Sequence, residues 1–206
     1  VGIKKLFNFK GSANLQKVKE MRIDKNYGGI IHQLNLDEFW HSLQGAEKAF
    51  IRNRTSWSFG GRIKSEELDD PKSNAETKRS VYAFLLGNAS WASEAKEYEL
   101  AEKLLNEVIK RTNNIFIVHR CYKELIVMHH KLSKQHEGSL EKCIEFSKFH
   151  IEIAPLLFEN AMNTGIEPPR IAAFNIMMKM YEEKGLLEEY EKVFKLEQQY
   201  KNGTFE

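Results

Sequence analysis

Apolar residues recur at helical spacing through most of the chain, most plainly in Arg170–Tyr200. Ile171, Phe174, Met178 and Tyr181 form one stripe before Lys184–Gly185, and Leu187, Tyr190, Val193, Phe194 and Tyr200 form another after it. Positions three and four apart share a helix face, so each half predicts an amphipathic helix and the glycine predicts the reversal between them. One such helix cannot bury its stripe alone, which makes an antiparallel hairpin the smallest sensible unit. Two more hairpins are expected upstream. The first spans about Glu76–Lys110, with Val81, Phe84, Leu85, Ala92 and Ala95 on one helix and Leu100, Ala101, Leu104, Leu105 and Val108 on the other. The second pairs Ile115–Leu132 with Ser139–Phe158 across a polar turn at Glu137–Gly138. Its second helix is apolar on two sides, through Leu140, Cys143, Ile144 and Ile151 and through Phe146, Phe149 and Ile153, as befits the middle of a stack.

Ahead of the hairpins the pattern is shorter. Asn35 is expected to cap a helix carrying Phe39, Trp40 and Leu43, and a following helix carries Ala46, Phe50 and Ile51. Residues 1–54 therefore read as a small helical N-terminal module, 55–75 as an irregular loop or linker, and 76–201 as a helical repeat domain. Leu15, Val18 and Met21 fit a further helix inside a basic segment, where residues 1–25 hold seven Lys and Arg against two acids. Tyr27-Gly28-Gly29 reads as a break.

The hairpins resemble the tetratricopeptide-repeat family, a superhelix of antiparallel helix pairs. Tyr181-Glu-Glu-Lys-Gly185 matches that family's turn, and Phe194 its later aromatic position. Leu86-Gly87 and Ala101, and then Gly138 and Cys143, are similar to the turn and small-residue positions of the other two pairs. Tyr190 stands where the family prefers Ala. The landmarks Ala101, Cys143 and Tyr190 are 42 and 47 residues apart, against a family period of about 34, so longer helices or irregular connections are expected. The phrasing "EYELAEKLL" and "PRIAAFNIMMKMYEEKG" is also similar to repeat proteins of Gram-positive bacteria and their phages. The expected fold is thus all-α: a solenoid like that of tetratricopeptide repeats, with about three antiparallel helix pairs and the small N-terminal module.

The resemblance implies a groove lined by the first helix of each pair, which binds a peptide or protein segment. It implies Asn175, Lys179 and Glu182 as groove residues in the third pair, and Ser90, with Ser93 and Glu94, in the first. Asn175 is singled out because an amide within an apolar helix face can grip a peptide backbone through two hydrogen bonds.

Charge adds a second surface. The net charge is only +2, but residues 1–75 carry 13 Lys and Arg against 9 acids, and residues 76–206 carry 18 against 20. Arg52, Arg54, Arg62 and Lys64 flank Trp57 and Phe59 beside Gly60-Gly61, a mixture suited to stacking on a base and gripping a phosphate. The more ordinary expectation is that this loop tucks Trp57 and Phe59 into the core. Arg54, Trp57 and Arg62 are the partner-binding candidates of this region. Together with the basic segment of residues 1–25, they support an alternative function, a nucleic-acid-associated regulator.

Catalytic chemistry is not indicated. Seven histidines are present, but neighbouring His129 and His130 point roughly 100° apart on a helix, a poor arrangement for one metal. His119 is expected near Cys121 or Cys143, without an orienting acid. These two cysteines are the only ones, and each falls inside a helical apolar pattern, so buried free thiols are expected. The glycine pairs lack the strand-to-helix setting of a phosphate loop. The chain accordingly reads as non-enzymatic, without cofactor or metal, its partner a protein or peptide and its oligomeric state monomer or homodimer. No apolar run is long enough to cross a bilayer, and a cytoplasmic location follows by elimination.

Overall fold

The structure is a computed structural model that describes residues 27–136 and 138–205. Ten α-helices are found among these residues, and no strand. None of the helices is long and apolar enough to cross a membrane. The helix expected around Leu15–Met21 lies outside the described residues. The chain divides into two compact units, one ending at Ala92 and the other beginning at Ser93.

The first unit contains α1 (Gly29–Gln33), α2 (Asp37–Ser42), α3 (Gly45–Ser58), a single 3-10 turn (Glu66–Leu68) and most of α4 (Val81–Glu94). Its core is built from Ile30, Ile31, Leu36, Trp40, Ile51, Leu68, Phe84 and Leu85, all nearly inaccessible to solvent. Asn35 does not cap α2. It adopts φ +53, which asparagine tolerates better than most residues, and α2 starts after Leu36. Helix α3 continues through Ser58, so residues 55–58, expected to be irregular, are helical. The true irregular stretch runs from 59 to 80 apart from its one turn. Helix α4 begins at Val81 rather than near Glu76, where Ser80 Oγ accepts from the Ala83 amide.

The irregular stretch is folded onto the unit through specific bonds. Asp69, itself buried, accepts two hydrogen bonds from Arg52 at 2.8 and 2.6 Å and one from Trp40 Nε1 at 2.7 Å. The Gly28-Gly29 break is the counterpart of this loop. The Gly28 amide donates to Asp69 O and that of Gly29 to Ser73 O. A Cβ on Gly28 would lie 2.1 Å from Asp70 O, and one on Gly29, whose φ is +52, would lie 2.2 Å from Glu67 O. Only glycine admits so close a backbone approach in that conformation.

The second unit contains α5 (Tyr98–Arg111), α6 (Ile115–Leu132), α7 (Ser139–Glu152), α8 (Ala154–Asn163), α9 (Ala172–Glu183) and α10 (Leu187–Asn202). Helix α6 packs against α5, α7, α8 and α9. Helix α7 also packs on α9, and α9 on α10. All five apolar residues expected to line α5 are buried. Asn114 caps α6 by accepting from the Phe116 and Ile117 amides. The single helix expected over Ser139–Phe158 is two helices. Pro155 has no amide proton, and its ring crowds the carbonyl four residues back, so α7 stops at Glu152 and α8 starts with proline in its first turn. Gly185, at φ +68, closes α9: its amide reaches Glu182 O at 3.0 Å and the Leu186 amide reaches Tyr181 O at 2.9 Å.

The inward face of α9 is Ala173, Phe174, Met177 and Met180; Met178 and Tyr181, expected on it, are half-buried. In α10 only Val193 and Tyr200 of the expected stripe are buried. Leu187 and Phe194 are 66% and 45% exposed.

Candidate functional site

In the first unit, the basic and aromatic residues around Trp57 serve separate ends. Arg52 is committed to Asp69 and lies over the Trp40 ring, with 5.7 Å between its Cζ and the ring centroid. Arg79 covers Phe59 at 4.5 Å and donates to Ser58 Oγ, which holds Phe59 half-buried. Trp57 does not enter the core: it is 75% exposed. Arg54, one helical turn before it, is exposed with its guanidinium 5.4 Å from the Phe50 ring, and Arg62 and Lys64 are exposed. Ser90 lies exposed on α4.

In the second unit, Asn175, Lys179 and Glu182 share one side of α9, at i, i+4 and i+7. That side is opposite the buried one, so Asn175 belongs to the polar face of its helix, not the apolar face. Asn175 is half-buried; Lys179 and Glu182 are exposed, and Lys179 lies 3.9 Å from Glu183.

This unit carries a cleft of about 680 Å³ between α8, the Thr164–Ile171 connection, α9 and α10. Its apolar walls are Phe158, Met162, Ile171 and Phe174, and its polar rim carries Arg170, Glu197 and Lys201. Tyr200 closes one side, donating through its hydroxyl to Pro169 O at 2.7 Å and packing edge-on against Phe158. Burial pushes this phenol up to about 12, so it stays a proton donor. Lys201 is paired with Glu197 at 3.0 Å, whereas Arg170 is exposed. This cleft has no counterpart in the helical periodicity because it depends on α8 being a separate helix. Pro155 was the available signal, followed by the Thr164-Gly165 stop.

Two polar clusters join helices among α5, α6 and α7. Glu102 accepts from His129 Nε2 at 3.1 Å and from Lys142 Nζ at 2.9 Å, joining all three helices. Burial pushes the Glu102 carboxyl up, but the bonds from His129 and Lys142 together outweigh it and hold its pKa below the usual value. Further along, His119 Nδ1 and His150 Nε2 lie 2.8 Å apart. His150 is fully buried, and its Nδ1 has no partner. The tautomer in which His150 Nε2–H donates to His119 leaves only a lone pair unsatisfied there, which costs less than an orphaned N–H. Burial, then the neighbouring His119 and Lys123, push His150 down to about 3, and burial lowers His119 as well. The hydrogen-bond partner of His119 is thus a histidine.

Both cysteines are free and buried, as expected. Burial raises Cys121 to about 12 and Cys143 to about 11, which is the reverse of thiolate activation. No group of three or more His, Cys, Asp or Glu placed to hold a metal occurs among the described residues. No protein family, curated protein or solved structure matches this chain.

Proposed function

We propose that this chain is a non-enzymatic protein-interaction module whose second unit takes a peptide or protein segment in the α8–α9–α10 cleft. The observation that carries the proposal is the cleft itself. Its volume lies within the roughly 300–1,000 Å³ range of ligand sites. Aromatic and aliphatic walls give it affinity for apolar side chains, and Arg170 at the rim supplies a cation that can pair a carboxylate or a backbone carbonyl. The polar residues Asn175, Lys179 and Glu182 offer a second, neighbouring strip on α9. Of the three expected hairpins, the first is divided, with most of α4 in one compact unit and α5 in the other, and the reading of the second unit as a stacked array like the tetratricopeptide repeats rests on the other two. Helix α6 packs on its pair mate α7, and both pack on α9, the first helix of the next pair. Helix α8 is an insertion relative to that scheme, and it forms one wall of the cleft.

The test is selection of a displayed random-peptide library on the purified chain, followed by affinity measurement on the enriched peptides. The expected result is a shared apolar consensus whose binding falls at least tenfold in Met162→Glu and measurably in Arg170→Glu. Both positions are exposed, so the thermal midpoint should stay within about a degree or two. Absence of any enriched sequence, or binding indifferent to both substitutions, contradicts the proposal.

The exposure of Trp57 favours a second reading, in which the first unit contacts single-stranded nucleic acid through Trp57, Arg54 and Arg62. It predicts salt-sensitive quenching of Trp57 fluorescence by an oligonucleotide, abolished in Trp57→Ala. No quenching at low salt removes it.

A further inference from the structure

Helix α10 carries a surface that the cleft does not use. Leu187, Tyr190 and Phe194 follow one another at i, i+3 and i+7, and the Tyr190 and Phe194 rings lie nearly parallel, 8° apart with centroids at 6.3 Å. Leu187 and Phe194 are among the most exposed large hydrophobic residues described. An aligned, solvent-facing apolar stripe on a helix rich in charged residues marks a contact surface.

The charges around the stripe say what covers it. Acids gather toward the start of α10, at Glu188, Glu189 and Glu191, and lysines toward its end, at Lys192, Lys195 and Lys201. Some are already matched within the helix, Glu189 with Lys192 at 2.8 Å and Glu197 with Lys201 at 3.0 Å. Glu191 and Lys195 are exposed on the solvent side next to the stripe, and neither is ion-paired among the described residues. A helix acidic at one end and basic at the other is complementary to itself when reversed. We infer that this face binds a second copy of the chain, through an antiparallel two-fold pairing of α10 with its symmetry mate.

A two-fold axis at the level of Val193 sets Glu191 of one copy opposite Lys195 of the other, twice. It also sets each Tyr190–Phe194 pair against its mate, within about 3 Å along the axis at 1.5 Å rise per residue. The interface is isologous: one patch supplies both the apolar centre and the charged rim, and no surface from outside the chain is required.

Sedimentation equilibrium on the full chain over a concentration series tests this directly. The wild type should dimerise, and Phe194→Glu or Leu187→Glu should yield monomer with unchanged helicity. Glu191→Lys alone and Lys195→Glu alone each place like charges opposite one another twice, and should weaken the dimer tenfold or more. The double substitution restores opposite charges, and should recover the wild-type dissociation constant to within about threefold. A wild type that stays monomeric overturns the inference, which is also the result expected if a different partner covers the stripe. A dimer indifferent to Phe194→Glu, or one not restored by the double swap, overturns it equally.

Discussion

Replacing Asp69 with alanine is the sharpest test of how the first unit is held together. The carboxylate accepts three hydrogen bonds at 2.6–2.8 Å, two from the Arg52 guanidinium and one from the Trp40 indole. It thereby fastens the 59–80 stretch to α2 and α3. Asp69 is 6% exposed, while the Arg52 side chain is one-third exposed, so solvent screens only part of the interaction. Removing one partner of a buried ion pair costs about 3–5 kcal/mol, chiefly because the other charge stays behind uncompensated. The orphaned Trp40 N–H adds to this cost, and partial hydration of Arg52 reduces it. The expected loss is therefore about 3 kcal/mol. The assay is favourable, because the three tryptophans, Trp40, Trp57 and Trp91, all precede residue 93. Urea unfolding followed by tryptophan fluorescence thus reports on the first unit. Asp69→Ala should lower its midpoint sharply, and Arg52→Ala added to Asp69→Ala should cost little more, since the shared interaction is already gone. A loss below about 1 kcal/mol, or fully additive effects, would show that Asp69 does not fasten the loop in this way.

Other outcomes follow from the same contacts. His150 titrates near 3 when folded and near 6.5 when unfolded, so below pH 6.5 the unfolded chain binds the extra proton and stability falls as pH falls. The loss reaches about 2 kcal/mol by pH 5, in the same direction as the smaller contribution of His119. Far-UV melts between pH 7.5 and 5 should show this slope, and His150→Phe should flatten it. Glu102→Gln weakens the bonds to His129 and Lys142 and should destabilise the second unit by about 1–3 kcal/mol, measurable by urea titration of its circular dichroism. Gly29→Ala should cost about 2 kcal/mol or more, because the added methyl meets the Glu67 carbonyl; tryptophan fluorescence again reads it. A midpoint unchanged in this last variant would contradict the close approach of loop and glycine.

Sequence periodicity captured what depends on neighbours along the chain. The α5 stripe and the bounds of α6 could be read directly, since each helix buries one continuous face and Asn114 announces the start of α6. Periodicity failed where burial depends on what lies opposite. Leu187 and Phe194 are as apolar as Val193, but only what packs against α10 decides which of them is covered, and of the three Val193 is the buried one. Pro155 stood inside an apolar run whose hydrophobicity masked the break, and the cleft went unread with it. Asn35 is a good cap and also a good left-handed residue, and the turn into α2 used the second property. The His119–His150 bond joins residues 31 apart on facing helices, and Asp69 reaches Arg52 and Trp40 across 17 and 29 residues. One-dimensional spacing carries no signal for such pairs. Asn175, expected within an apolar face, lies opposite the buried side of α9, which is formed by Ala173, Phe174, Met177 and Met180.

The central claim is that the second unit captures a peptide in the α8–α9–α10 cleft. Amide hydrogen exchange of the chain, with and without a library-selected peptide, tests it most directly. New protection should concentrate in residues 158–174 and 197–201, and should be lost together in Met162→Glu. Protection that appears elsewhere while this cleft exchanges unchanged contradicts it.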